Sequence, residues 1–423
     1  LLQIRKEHNN MKKIFTVILI FNLIFSLLSL LSGSAAALNG GGNSYLPEPG
    51  SELASVKMTA GGYAHTIALS GDGTVWGWGD DLGECYLGND YDGRISSKTP
   101  VQIPGLSDIV YIAAGDYTSA AIKSDNTLWM WGAGWTWGFD GTLNSYGGYA
   151  LSLDKPYMTD VVNVSMGSYF TAALKSDGTV WIWGPNSSDD RENQKIPKKV
   201  DGIPKIKKIA ATWNHAAFLD VDGNVWFLEY CFNMPRTPKM VEGLSDITSI
   251  TGGGWHFVAL KDDGTVFTLN TMTVEGFDIN NPKPEKVDGL SDIVDIAAGG
   301  FHSAAVKKDG TVWSWGSLEY GLGDGVHYTS ETPVKVANIT NAVGISSGNW
   351  HVTVTDSDGS LWSWGSNYTG QLGDGTTFDR STPVRLYSYG DNPDTGDPGL
   401  LLFILFAFLS ILVLFAIRHK HHN

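Results

Sequence analysis

Five histidines recur along this chain, His65, His215, His256, His302 and His351, and imidazole is the commonest metal-binding side chain. A metal centre needs its ligands within about 2.1 Å of one ion. These five stand a whole repeat apart, so each is expected to be structural, hydrogen-bonded to backbone inside its own unit. Seven aspartates, Asp72, Asp125, Asp177, Asp222, Asp263, Asp309 and Asp358, could supply paired carboxylates for acid–base work. Each recurs once per unit, followed by Gly or Asn, which is the chemistry of a tight turn, so no catalytic pair is expected. Nucleophile-elbow, zinc-peptidase, phosphate-loop and Cys-His motifs are missing. The expectation is a protein that is not an enzyme, with no cofactor and no bound metal.

Aromatic residues are the remaining candidates. One stands directly before the recurring landmark position in five units, at Tyr117, Tyr169, Trp255, Phe301 and Trp350, and one residue earlier in the other two, at Tyr63 and Trp213. Tyr and Trp supply large contact area at low entropy cost, the usual make-up of binding hot spots. These seven residues are the predicted binding site. The opposing reading is that the rings tuck back between units as core.

The elements that would position them follow from the spacing. Eleven residues separate His65 from Trp76, and the same interval joins Thr118 to Trp129, Phe170 to Trp181, His215 to Trp226, His256 to Phe267, His302 to Trp313 and His351 to Trp362. An Asp four residues before each aromatic sets an Asp-Gly or Asp-Asn turn between two apolar strands, a strong hairpin signal. Five units continue as Trp-x-Trp-Gly, and residues two apart on a strand share a face, so each pair can fill the gap between neighbouring sheets. A further apolar strand precedes each hairpin and a Pro-Val type strand follows it, as at Pro100-Val101, Pro333-Val334 and Pro383-Val384. Four strands per unit, with no unit shaped as a polar cap, predict an all-β fold: a seven-bladed β-propeller of four-stranded antiparallel blades. The propeller is expected over 56–386, with repeats starting near 56, 111, 164, 209, 250, 296 and 345. Either Leu53-Ala54-Ser55 or Arg385-Leu386-Tyr387 could complete the closing blade. In propellers the first strand lines the central channel, so the aromatic turns should crowd one mouth of it.

At Gly348-Asn349-Trp350-His351, Asp358-Gly359, Trp364-Gly365 and Asn367 through Gln371-Leu372-Gly373, the sequence resembles the regulator of chromosome condensation repeat family. The resemblance covers about Val56 to Leu386 and implies a seven-bladed propeller. It also implies two precedents: guanine-nucleotide exchange on a small GTPase for nuclear members, and β-lactamase inhibition for some secreted bacterial ones. Gly-Gln-Leu-Gly is whole only in unit seven, partial in units one and six, and missing from units three to five. Two longer loops, Asp80 to Thr99 and Ala133 to Tyr157, are candidates to extend a binding face.

Both ends look like processing signals. Residues 1–37 comprise upstream residues and a signal peptide, with Met11-Lys12-Lys13 before an apolar run from Ile14 to Leu31 and small residues behind it; a linker, 38–55, follows. A stalk, 387–399, carries Asn392-Pro393-Asp394-Thr395-Gly396, which resembles the L-P-x-T-G signal that sortases cut between Thr and Gly. Leu400 to Ile417, apolar but for Ser410, is long enough to span a bilayer, and 400–423 ends in a basic tail. The body is expected outside the cell, held at the wall or membrane. Removing six of 29 basic and two of 44 acidic residues with these ends leaves it near −19, a balance that repels nucleic acid. Cys85 and Cys231 fall in distant repeats and are expected as two unpaired thiols. The predicted function is a monomeric extracellular scaffold binding a protein through the aromatic turns; the alternatives are a glycan- or wall-binding adhesin using the same rings, and an enzyme with a site in the channel.

Overall fold

The computed structural model describes residues 53–387, apart from 54, 81–95, 133–155, 169, 185–195, 232–233, 236 and 272–282. The signal-like segment, the sorting-like motif, the C-terminal apolar run, Cys85, Tyr169 and most of both long loops lie outside the described residues.

Seven antiparallel sheets follow one another along the chain. Their innermost strands are Val56–Gly61, Ile109–Ala114, Val161–Met166, Ile206–Ala211, Ile247–Gly252, Ile293–Ala298 and Ala342–Ser347. After the first, these begin two or three residues before the starts read from the repeat. The second and third strands of each blade form the expected hairpin, as in Leu69 opposite Val75 and Ala305 opposite Trp313. Positive φ at the turn explains the Asp-Gly and Asp-Asn pairs: Gly73 sits at 85°, Gly310 at 78° and Asn126 at 66°. Among the described residues six blades have a fourth, outer strand, and blade 2 has the bridge Leu128–Met158.

Strand order within every blade is sequential, so among the described residues no strand is exchanged at the seam. Arg380–Tyr387 is the fourth strand of blade 7, and Leu53 packs beside Leu386 in the cluster between blades 7 and 1. Closure rests on packing and on bonds between complete blades, among them Val56 N–H to the Gly359 carbonyl at 3.2 Å and Thr59 Oγ1 to Thr353 Oγ1 at 2.7 Å.

The second tryptophan of each pair supplies the wedge between blades. Trp78, Trp131 and Trp364 are fully buried; Trp131 packs on Ile67 and Leu69 of blade 1, Trp183 on Ile122 of blade 2, and Trp364 on Val306 of blade 6. Burying such side chains stabilises each interface by about 1.5–3 kcal/mol apiece. A lone blade would leave those faces wet, whereas a ring leaves none exposed.

Each innermost pair also carries one β-bulge, between residues one and three of the first strand, from 56/58 in blade 1 to 342/344 in blade 7. A bulge re-aims the side chains beside it. The second residue is left exposed, as at Val110, Val162, Val294 and Val343, and the third comes to the channel wall, as at Tyr111, Asn163, Lys208 and Asp295.

Candidate functional site: an aromatic crown over a polar channel

The first strands line a central channel of about 460 Å³. At one mouth the turns between first and second strands meet their neighbours through backbone hydrogen bonds: Tyr63 N–H to Asp116 O at 3.1 Å, Trp213 N–H to Gly254 O at 3.2 Å, and Asn349 N–H to Gly62 O at 3.0 Å. This belt holds the aromatic residues in place. Tyr63 and Tyr117 lie 5.6 Å apart between ring centroids, Trp213 and Trp255 5.0 Å, Trp213 and Phe301 6.1 Å, and Phe301 and Trp350 5.6 Å. Six of the seven predicted residues therefore gather at the mouth; Tyr169 is the one outside the described residues. Phe301 is exposed and the other five are half-buried, so the two opposed readings each hold in part: the rings pack on one another and still face water.

Asp116 sits beneath Tyr63 and Tyr117. Its carboxylate accepts hydrogen bonds from Ser168 Oγ and, at 3.3 Å, from Asn349 Nδ2, linking blades 2, 3 and 7 under the crown. Burial pushes its carboxyl above the ordinary range, partly offset by those donors.

The histidines depart from expectation. Each partnered one bonds a hydroxyl of the next blade: His65 Nε2 to Ser119 Oγ at 3.0 Å, His256 Nε2 to Ser303 Oγ at 2.7 Å, and His351 Nε2 to Thr66 Oγ1 at 2.8 Å. The Thr66 hydroxyl donates to Gln371 O at 2.9 Å, so His351 must donate to it through Nε2. The partner is always the residue one past the landmark in the following blade. Where that residue is apolar, Phe257 after His215 and Val352 after His302, neither imidazole nitrogen finds a hydrogen bond. His215 instead stacks on Phe227 at 5.4 Å. Burial holds all five neutral, at about 4 for His65, His215 and His256 and about 3 for His302 and His351. Among the described residues no group of His, Cys, Asp and Glu could hold a metal ion.

The glycine three residues before the histidine belongs to the same device. A Cβ on Gly348 would stand 2.2 Å from His351 Cε1 and 2.5 Å from Gly62 O of blade 1; on Gly62 it would meet His65 Cε1 at 2.1 Å and Gly115 O of blade 2 at 2.6 Å. At these two positions only glycine leaves room for both the ring and the neighbouring turn, whereas in blade 4 Thr212 stands there and its Oγ1 accepts from His215 N–H at 3.1 Å.

The turn aspartates act as expected and do one thing more. Asp125 Oδ1 accepts from Thr127 N–H at 3.0 Å and Thr127 Oγ1 at 2.6 Å, and Thr127 Oγ1 accepts from Trp129 Nε1 at 2.9 Å. Blades 1, 3 and 6 repeat this relay. Hydrogen bonds from the threonine hold the Asp125 carboxyl below its usual range.

Sequence profiles of the Regulator of chromosome condensation (RCC1) repeat match residues 56–82, 161–189, 293–321 and 342–371, and 72–122, 309–355 and 358–393. The chain is 28% identical to Protein pim1 of Schizosaccharomyces pombe over 228 residues, 51% of this chain and 37% of pim1. It is 28% identical to the E3 ubiquitin-protein ligase HERC2 of Homo sapiens over 249 residues, 51% of this chain but 5% of HERC2. The chain thus spans well under two thirds of these relatives. The crystal structure of Prp20p from Saccharomyces cerevisiae, studied for its binding to Gsp1p and histones, superposes with a TM-score of 0.61 at 21% identity, covering 80% of this chain and 88% of Prp20p. Sequence spacing, seven sequential blades and these matches agree: the chain carries regulator of chromosome condensation repeats folded as a seven-bladed β-propeller.

Proposed function

We propose that this chain is a binding scaffold displayed outside the cell, and that it captures a protein partner on the aromatic crown. One observation carries the reading: rings from six blades collect at one channel mouth, touching each other and still part-exposed. Such a cluster is a preorganised hot spot, with the entropy of fixing each ring already lost in the free protein. Prp20p, with the same fold, is described in complex with Kap60 as well as in binding to Gsp1p and histones, which supports a propeller of this kind offering protein-binding surface. A protein is favoured over a sugar because the rings interlock: Trp213 meets Trp255 at 65° and Phe301 at 83°, edge-to-face contacts that take up stacking face within the cluster itself. Placement outside the cell rests on the signal-like residues 1–37, the sorting-like 392–396 motif and the apolar run Leu400 to Ile417. The acidic balance, −15 for the whole chain, argues against a nucleic-acid partner.

The test compares the full chain with a Trp255→Ala/Trp350→Ala variant in capture from extracellular protein extracts and on a glycan array. Capture of a defined protein that the variant loses, with the melting temperature nearly unchanged, is the expected result. Saccharide binding without protein capture, or equal capture by both chains, would overturn the crown reading.

A further inference from the structure

The channel beneath the crown holds a second constellation, made by third residues of several innermost strands. Lys208 of blade 4 and Asp295 of blade 6 both line it, on either side of blade 5. They are opposite charges within electrostatic reach, yet no ion pair joins them. Lys208 Nζ donates to Ser249 Oγ of blade 5 at 2.7 Å. Asp295 accepts instead from two backbone N–H groups, Ile296 at 2.9 Å and Ile345 of blade 7 at 3.2 Å. Lys208 so keeps unused donors and Asp295 unused lone pairs. Burial lowers the ammonium and raises the carboxyl, the response of charges that lack a close counter-charge.

Around them the wall is polar and incompletely satisfied. Asn163 of blade 3, hydrogen-bonded to Tyr111, leaves Oδ1 buried without a partner, and Ser347 of blade 7 leaves its hydroxyl likewise. Two residues further toward the crown the same strands carry only small side chains, such as Ala113, Ala210 and Ala297, which leave the room. A void of about 460 Å³ falls in the size class of small-molecule pockets, which are roughly 300–1,000 Å³. A cation and an anion held apart on opposite sides of one blade, with spare polar atoms across from them, match a ligand that carries both charges itself. We propose that the central channel binds a free α-amino acid, its carboxylate on Lys208, which Ser249 positions, and its ammonium on Asp295. A purely anionic ligand would face Asp295, a purely cationic one would face Lys208, and a neutral sugar would leave both charges uncompensated.

The probes are the standard free amino acids at millimolar concentration, each with its N-acetyl and carboxamide derivatives, titrated into the full chain. Thermal shift and calorimetry are the readouts. At least one amino acid should raise the melting temperature and saturate, and each blocked derivative should bind at least about tenfold more weakly. Lys208→Met and Asp295→Asn should each weaken binding by a similar factor; Ser249→Ala, a smaller change, serves if either misfolds. The proposal fails if no amino acid shifts the melting curve. It fails equally if blocked derivatives bind as well as the free forms, if the folded variants bind unchanged, or if neutral sugars bind in their place.

Discussion

At the scale of single residues the molecule repeats one latch, a histidine reaching the hydroxyl one blade on, and the two blades without that hydroxyl show what the latch contributes. His302 has Val352 where His256 has Ser303 and His351 has Thr66. A Val352→Thr substitution is close in shape and supplies the missing group, so it should raise stability by about 1 kcal/mol in urea titration. Thr66→Val should lower it by about 1–3 kcal/mol, because it strands His351 and removes one of the two donors to the Gln371 carbonyl. The same five rings set the acid response. Their folded pKa values lie near 3 to 4, below the ordinary 6.5, so beneath pH 6.5 the unfolded chain binds protons that the folded chain refuses. Stability from this source is fully present above pH 6.5 and declines as pH falls toward 4, by up to about 1.4 kcal/mol per pH unit for each histidine. The urea midpoint should drop steadily from pH 7 to 4.5, and His302→Leu should flatten that slope by about one proton. A midpoint indifferent to pH would mean that the rings are hydrated and charged. Little of this was legible beforehand: the recurrence of His was plain, but its partner lies 47 or 54 residues away, and 285 at the seam, at a position that only the ring brings near.

At the scale of the element, each blade is a meander whose turn, wedge and bulge do separate jobs. The hairpin turns and the Trp-x-Trp strand could be read directly, since Asp-Gly chemistry and period-two spacing are local. The bulge could not, because Ile109-Val110-Tyr111 and Ile206-Lys207-Lys208 look like ordinary strand beginnings, and an inserted residue leaves no mark in composition. Nor could the need for glycine at Gly62 and Gly348, three residues before their histidines, which comes from the next blade's carbonyl; before His215 the same position holds Thr212. Gly348→Ala should therefore cost about 1–3 kcal/mol or more, although Gly-to-Ala in an open turn costs little, and thermal melting reads the difference. Trp364→Ala should cost about 3–5 kcal/mol as a cavity between blades 6 and 7. Trp129→Phe keeps an aromatic face under Lys123 and most of the packing but loses the hydrogen bond to Thr127, so it should cost about 0.5–1.5 kcal/mol. If the two tryptophan changes cost the same, the distinction drawn here between wedge and turn relay is wrong.

At the scale of the whole ring, closure is the step that no single blade encodes, and here the unequal distribution of Gly-Gln-Leu-Gly acquires a physical reason. The complete copy follows the third strand of the last blade, and its Gln371 carbonyl accepts from Trp78 Nε1 at 2.9 Å and from Thr66 Oγ1, both in blade 1. Thr369 Oγ1 reaches the Ala64 carbonyl at 2.9 Å and Gly375 N–H the Lys98 carbonyl at 2.9 Å, so the loop spans the seam along its length. Elsewhere a short chain segment joins each blade to the next, whereas between blades 7 and 1 only non-covalent contacts do. Asn367 organises the loop: its amide donates to Asp374, Thr376 and Phe378, and its Oδ1 accepts from Leu372 N–H at 3.0 Å. Removing a buried hub of this kind strands several backbone groups, each costing about 1–3 kcal/mol. Asn367→Ala should therefore open the ring at one place. Native-state hydrogen exchange would show amides of blades 1 and 7, Val56 and Asn349 among them, losing protection first, while those of blades 3 to 5 keep theirs. Uniform loss around the ring would instead mean that the propeller unfolds as one cooperative body, with the seam no weaker than any chain-linked interface.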